Sequence, residues 1–205
     1  LPGTMLELLE ADGLDAAARA DGPHIALGDV NLESPILRPP KILAVGLNYA
    51  DHVAETGMEK PVFPMIFNKQ STAATGPYAP IHVPKASDKV DYEGELAVVI
   101  GRRCRHVPKE KAIGVIAGYC IANDVSVRDW QIRVPTFTMG KSFDTHCPLG
   151  PSLVTADEVG DGSGLAIRTW VNGEERQSSN TRELVFDVAT LIEHLSTAFT
   201  LEPGD

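Results

Sequence analysis

No apolar run in this 205-residue chain approaches the ~20 residues that a helix needs to cross a bilayer. The longest, such as LAVVIG ending at Gly101, has the length of a core strand. A positive surplus is missing as well: 28 acidic residues outnumber 18 basic ones, the formal net charge is -10 and the pI is near 5.0. Such a field repels phosphate backbones and anionic lipid, so neither nucleic acid nor a membrane surface is an expected partner. Cysteine is scarce and odd in number. Cys104, Cys120 and Cys147 are widely spaced, with no CxxC pair, which fits reduced thiols in a cytoplasmic protein better than a disulfide framework or a zinc site. A charged-then-apolar leader and an initiating Met are also lacking, and TLEPGD follows directly on a helix-then-turn signal, so the sequence reads as a piece trimmed at both ends.

What remains is ordinarily globular, with 43% hydrophobic and 22% charged residues. The 18 glycines and 15 prolines exceed the roughly 12% that these residues make up in an average protein, which favours turns and short strands over a helical bundle. Residues 1–38 carry one helical pattern, TMLELLEADG, and an acidic, Pro-bearing remainder; they read as the remnant of a small N-terminal domain and its linker. From residue 39 the pattern is strand-rich. KILAVGLNY, PMIFNK, EGELAVVIG and YCIANDVSV read as strands, ADHVAETG and KEKAIGVIAG as short helices, and residues 70–89 as a loop. RDWQIR reads as a helical turn, and Lys141 as lying between a flexible Gly and a strand-like Ser-Phe. Asn172-Gly173 after an alternating run predicts a hairpin, and Asp187 is the expected N-cap of a helix through Phe199. Helices do not follow every strand, so the class is α+β and predominantly β, not doubly wound.

Glu93 and Glu95 in VDYEGELAVVIG are two residues apart, and on a strand such residues share a face. Paired like charges near an interior call for a cation between them. Hard ions such as Mg²⁺ take oxygen ligands and keep several waters, so few carboxylates suffice, and Asp124 at the polar end of a neighbouring strand supplies a third. By themselves these acids also suit a solvated face and a turn. His52 and Glu55 stand three apart in NYADHVAE, a helical spacing in which a carboxylate orients an imidazole and strengthens it as a base; an ordinary surface pair has the same spacing.

LAVGLNYADHVAETG, VDYEGELAVVIG, GYCIANDVSVRDWQ, MGKSFDTHCPLGP and QSSNTRELVFDVATLIEHLSTAFTLEPGD occur in this order. Together they resemble the fumarylacetoacetate hydrolase family, including its acylpyruvase and 2-hydroxyhepta-2,4-diene-1,7-dioate isomerase-like members. The resemblance spans about Pro40 to Asp205 and implies a C-terminally truncated catalytic domain over residues 39–205. The implied fold is a mixed β-sandwich roll with a few short helices; a Mg²⁺ or Mn²⁺ cofactor and a homodimer are implied as well. It carries metal-ligand roles to Glu93, Glu95 and Asp124, and catalytic roles to Lys141 and to a lid dyad of His52 and Glu55. Arg128 and Gln131 match positions facing the substrate, with Lys69 a weaker candidate; Trp130, Met139 and Cys147 read as packing. The family's later Gly-Thr-Pro segment, which binds the substrate carboxylate, has its place after PGD.

The implied activity is cleavage of a carbon-carbon bond in a 2,4-dioxo acid through a metal-stabilised enolate. The alternatives are decarboxylation of an oxaloacetate-like acid or isomerisation of a 2-hydroxy-dienedioate in aromatic-acid catabolism, and, from another class, a non-catalytic metal-dependent dicarboxylate-binding protein.

Overall fold

The computed structural model describes residues 1–55 and 57–205. Its first two helices, α1 (Met5–Glu10) and α2 (Leu14–Ala18), are short. Thr4 and Glu7 cap α1 reciprocally, each side chain accepting the other residue's backbone N–H. The helix buries Leu9 among Ile36, Val99, Ala117 and Cys120, so this leading segment packs on the central sheet. Strand β1 (Ile42–Gly46) leads into α3 (Ala50–Thr56), which ends where Gly57 adopts φ 66°, and the chain returns as β2 (Met65–Lys69), antiparallel to β1 with Ile42 opposite Lys69.

Two brief strands, β3 (Ala74–Thr75) and β4 (Val90–Asp91), precede the long β5 (Gly94–Ile100) and β6 (Ile116–Asn123). After them come β7 (Ser126–Val127), the single-turn helices α4 (Arg128–Gln131) and α5 (Thr138–Lys141), β8 (Cys147–Thr155) and α6 (Ala156–Val159). The chain closes with β9 (Ala166–Val171), β10 (Glu174–Asn180) and α7 (Val188–Ala198). The central sheet has the order β3-β8-β6-β5; β1–β2, β4–β7 and β9–β10 are two-stranded. The result is a predominantly β, mixed architecture with short helices.

α7 covers the sheet. Val188 and Ile192 join Ile100, Ile116, Tyr119 and Leu201 in one buried cluster, each side chain worth about 1.5–3 kcal/mol on burial. Asp187 caps the helix as expected, its carboxylate accepting from Thr190 N at 2.8 Å. Asn172 and Gly173 turn the β9–β10 hairpin with φ of 53° and 84°, the left-handed pair a two-residue turn requires.

Three expectations are corrected. KEKAIGVIAG is a 3₁₀ segment over Lys109–Val115, and β6 starts at Ile116, where Gly114 and the β-branched Val115-Ile116 end helical winding. The loop at 70–89 contains β3, which runs parallel to β8 with Ala74 opposite Cys147. Lys141 closes α5, and the Ser142-Phe143 that follows it is not a strand. The α5 turn can sit there because Gly140 lies against the backbone of Gln131, where a Cβ would come within 2.2 Å of its nitrogen.

Candidate active site

Four chain segments deliver the charged residues to one place. β5 and β6 are antiparallel with Gly94 opposite Asn123, so Glu93 and Glu95 flank one strand end while Asp124 follows the end of its neighbour. Asp124 N donates to Glu93 O at 2.7 Å, locking the two acidic segments together. The close contact of α5 with α4 then brings Lys141 up to both.

Lys141 is 2% exposed, and its ammonium bridges Glu93 Oε2 at 2.6 Å and Asp124 Oδ2 at 2.9 Å. Behind it, Lys69 from β2 donates to the carbonyls of Val125 and Lys141 and lies 2.7 Å from Asp124 Oδ1. That last contact is an ion pair. Lys69 therefore braces Asp124 from within the protein. On the other side Arg128 donates to Glu93 Oε1 at 2.5 Å, to Gln131 Oε1 at 2.9 Å, and twice to Asp91 Oδ2 at 2.7 and 2.9 Å. Burial works against its charge, but Glu93 and Asp91 outweigh that cost and raise its pKa. Most of the guanidinium fork is thus spent inside the protein.

Glu95 is the exception in this network. Among the described residues it makes no ion pair or side-chain hydrogen bond that would satisfy its charge. Burial first, then the neighbouring Glu93 and Asp124, push its pKa to about 8 against a smaller opposing pull from Lys141. An oxygen donor left without a cation beside two further carboxylates is a suitable ligand for a hard divalent ion. As folded, the carboxylates are spaced around the Lys141 ammonium: among the described residues no group of three His, Cys, Asp or Glu side chains is gathered as a metal cage. A divalent ion held by Glu93 and Asp124 would compete with Lys141 for the same oxygens.

All of these residues line a cavity of about 710 Å³. His52 and Glu55 line it too, from α3, with His52 Nδ1 3.7 Å from Glu55 Oε2. Their side chains are 59% and 80% exposed, so the dyad stands at the rim, apart from the buried cluster. Tyr49, just before α3, has its pKa raised by burial and then by Glu95 and Asp51. Cys147 is buried, which holds its thiol near 11, and Trp130 packs edge-on against Phe143 at 5.4 Å. Met139 is 59% exposed and is not core packing.

Asp91 and Ser126 were not singled out from the sequence. Asp91 stands two residues before Glu93 in the same alternating stretch, and that spacing was the available signal. Ser126 donates toward Glu93 Oε1 at 3.3 Å, a contact made by folding alone.

A buried Lys-carboxylate cluster at the mouth of two antiparallel strands, walled by short helices and a rim dyad, is an arrangement able to stabilise developing negative charge. The family model described as fumarylacetoacetate (FAA) hydrolase C-terminal matches residues 41–205, and the chain belongs to this family. It is 45% identical over 211 residues to the mitochondrial oxaloacetate tautomerase Fahd2a of Rattus norvegicus, covering 100% of this chain and 67% of that protein. Among solved structures it is similar to 5-carboxymethyl-2-hydroxymuconate delta-isomerase from Mycobacterium smegmatis, with 46% identity, a TM-score of 0.81 and coverage of 90% and 72%. The maleylpyruvate hydrolase of a Sphingobium species, solved with manganese (II) ion and pyruvate, shares 37% identity at a TM-score of 0.83, over 98% of this chain and 72% of that one.

Proposed function

We propose that the protein is a divalent-metal-dependent enzyme that forms and reprotonates the enolate of a small 2-oxo acid, as in keto–enol interconversion of an oxaloacetate-like substrate. The observation that carries this reading is the buried Lys141 ammonium between Glu93 and Asp124, beside the unpaired Glu95. Identity to an oxaloacetate tautomerase and to an isomerase of 2-hydroxymuconates supports the same chemistry.

Charge balance points the same way. With Glu95 ionised, as ligation of a metal would require, Asp91, Glu93, Glu95 and Asp124 exceed Lys69, Arg128 and Lys141 by one negative charge, and a divalent ion would turn that into one positive, suited to an anionic substrate. Glu93, Glu95 and Asp124 would hold Mg²⁺ or Mn²⁺, which when bound supplies Lewis acidity to a 2-oxo group. Lys141 donates to the oxygen on which enolate charge grows, and its burial strengthens that interaction. Arg128 holds Glu93 in place and Gln131 extends from it toward the cavity, while Lys69 fixes Asp124. The proton at C3 passes to and from a cavity group, for which His52 with Glu55 is the candidate.

Carbon-carbon hydrolysis is the second reading, favoured by the place of His52 and Glu55 on the water-exposed rim of the same cavity. There the dyad would activate water against a distal carbonyl, with the enolate-holding cluster unchanged. Three free thiols support a reducing compartment, and the family resemblance supports a homodimer, which light scattering of the full-length protein would test.

A product screen of the full-length protein with Mn²⁺ or Mg²⁺ separates the readings. Accelerated enol-to-keto conversion of oxaloacetate, with no pyruvate release from acylpyruvates, is the expected result. Pyruvate release from an acylpyruvate selects hydrolysis, and carbon dioxide release from oxaloacetate selects decarboxylation. Ligand binding with no turnover of any of these acids would leave a dicarboxylate-binding protein.

A further inference from the structure

The hairpin of β9 and β10 has no role in the chemistry above, yet it touches both halves of the site. Gln177 Oε1 accepts a hydrogen bond from Gly94 N at 2.8 Å, and Gly94 is the single residue between Glu93 and Glu95. No side chain fits at that link, because a Cβ there would come within 2.3 Å of Thr169 Oγ1 on the same hairpin. The preceding peptide is held by Asn123, whose Oδ1 accepts from Glu93 N at 3.0 Å. The amides of Glu93 and Gly94 are therefore both fixed by side-chain carbonyls, and the one on Gly94 comes from the hairpin.

Two residues further along β10, Ser179 Oγ donates to Asp51 Oδ2 at 2.5 Å. Asp51 Oδ1 in turn accepts from His52 N at 2.8 Å, in the first turn of α3. Residues 177 and 179 share one face of the strand, and both line the cavity. The ladder register shifts between Glu175 and Gln177, a bulge of the kind that re-aims side chains.

We propose that the β9–β10 hairpin is a brace that sets the two halves of the site relative to each other, with Gln177 positioning the Glu93–Glu95 pair and Ser179 positioning the helix that carries His52 and Glu55. The Gln177 half rests on the metal reading above; the Ser179 half does not. Residues that hold ligands in place commonly affect metal affinity by 10- to 100-fold, though they never touch the ion.

The test combines single substitutions in the hairpin with two readouts in the full-length protein. Calorimetric Mn²⁺ affinity should fall about 10- to 100-fold in Gln177→Leu, which loses the amide, and return to at least the parent value in Gln177→Glu, which restores an acceptor and adds a charge. Ser179→Ala should leave Mn²⁺ affinity unchanged and speed amide hydrogen exchange in residues 50–55, which Gln177→Glu should not. A purely structural hairpin would lower the melting temperature in both variants without moving either readout selectively. Parental Mn²⁺ affinity in Gln177→Leu, or unaltered exchange in Ser179→Ala, overturns the corresponding half of the brace. Should Gln177→Leu fail to fold, Gln177→Met decides the first arm. A parent that binds no Mn²⁺ overturns the metal reading and the Gln177 role with it, while the exchange arm still decides Ser179.

Discussion

On the proposed function Lys141 and a divalent ion would share the same carboxylate oxygens, and this competition sets what replacing Lys141 should do. Lys141→Met removes a cation bridging Glu93 and Asp124, leaving buried acids that repel; breaking such a pair costs roughly 3–5 kcal/mol. The melting temperature of the variant should fall without metal and recover on adding Mn²⁺, and its Mn²⁺ affinity should equal or exceed the parent's. Its turnover should nevertheless drop about 10²- to 10³-fold, as expected when a donor to developing charge is lost. Weakened Mn²⁺ binding in this variant would count against the shared oxygens. His146 gives a separate test at the same scale. It is fully buried with Nε2 3.0 Å from His82 O, and burial lowers its pKa below the ordinary 6.5. A depressed imidazole contributes stability that is complete above pH 6.5 and is lost as pH falls toward the folded value, because the unfolded chain takes up the proton first. Urea midpoints measured from pH 7 to pH 5 should therefore fall more steeply in the parent than in His146→Asn, and parallel slopes would remove His146 from the acid response.

At the scale of elements, α7 is the helix most open to a clean test. Asp187→Ala removes the N-cap bond to Thr190 N and the 2.7 Å contact with Lys109, and should cost about 1 kcal/mol of stability by urea denaturation, with Mn²⁺ affinity unaltered. This helix was legible beforehand because Asp187 and the apolar spacing of Leu191, Ile192 and Leu195 are local signals; so were the Asn172-Gly173 turn and the alternating run of β5. What escaped was set by distant partners. β3 is two residues long and exists only because β8 lies beside it, and α5 winds where Gly140 meets the backbone of Gln131. The site divided along the same line. Glu93, Glu95, Asp124 and Lys141 stand in motifs, and folding gathers them, but whether Arg128 faces outward or spends its fork on Asp91 and Glu93 depends on the β4–β7 pairing, which no local pattern encodes.

For the whole molecule, packing of β5 against β6, with α5 pressed onto α4, builds the carboxylate-lysine cluster that we propose takes up a divalent ion to hold an enolate. No helix among the described residues is long and apolar enough to cross a membrane, and the buried Lys69, Asp124 and Lys141 meet at this cluster. The most direct measurement is metal-dependent exchange of the C3 protons of oxaloacetate with deuterated solvent, followed by NMR with the full-length protein. Chelated protein should exchange no faster than solvent alone, Mn²⁺ or Mg²⁺ should restore exchange, and Glu95→Gln, which keeps the size but removes the ionisable carboxyl, should need a much higher ion concentration. Undiminished exchange in exhaustively chelated protein, or a Glu95→Gln variant restored at the parent's ion concentration, would contradict it.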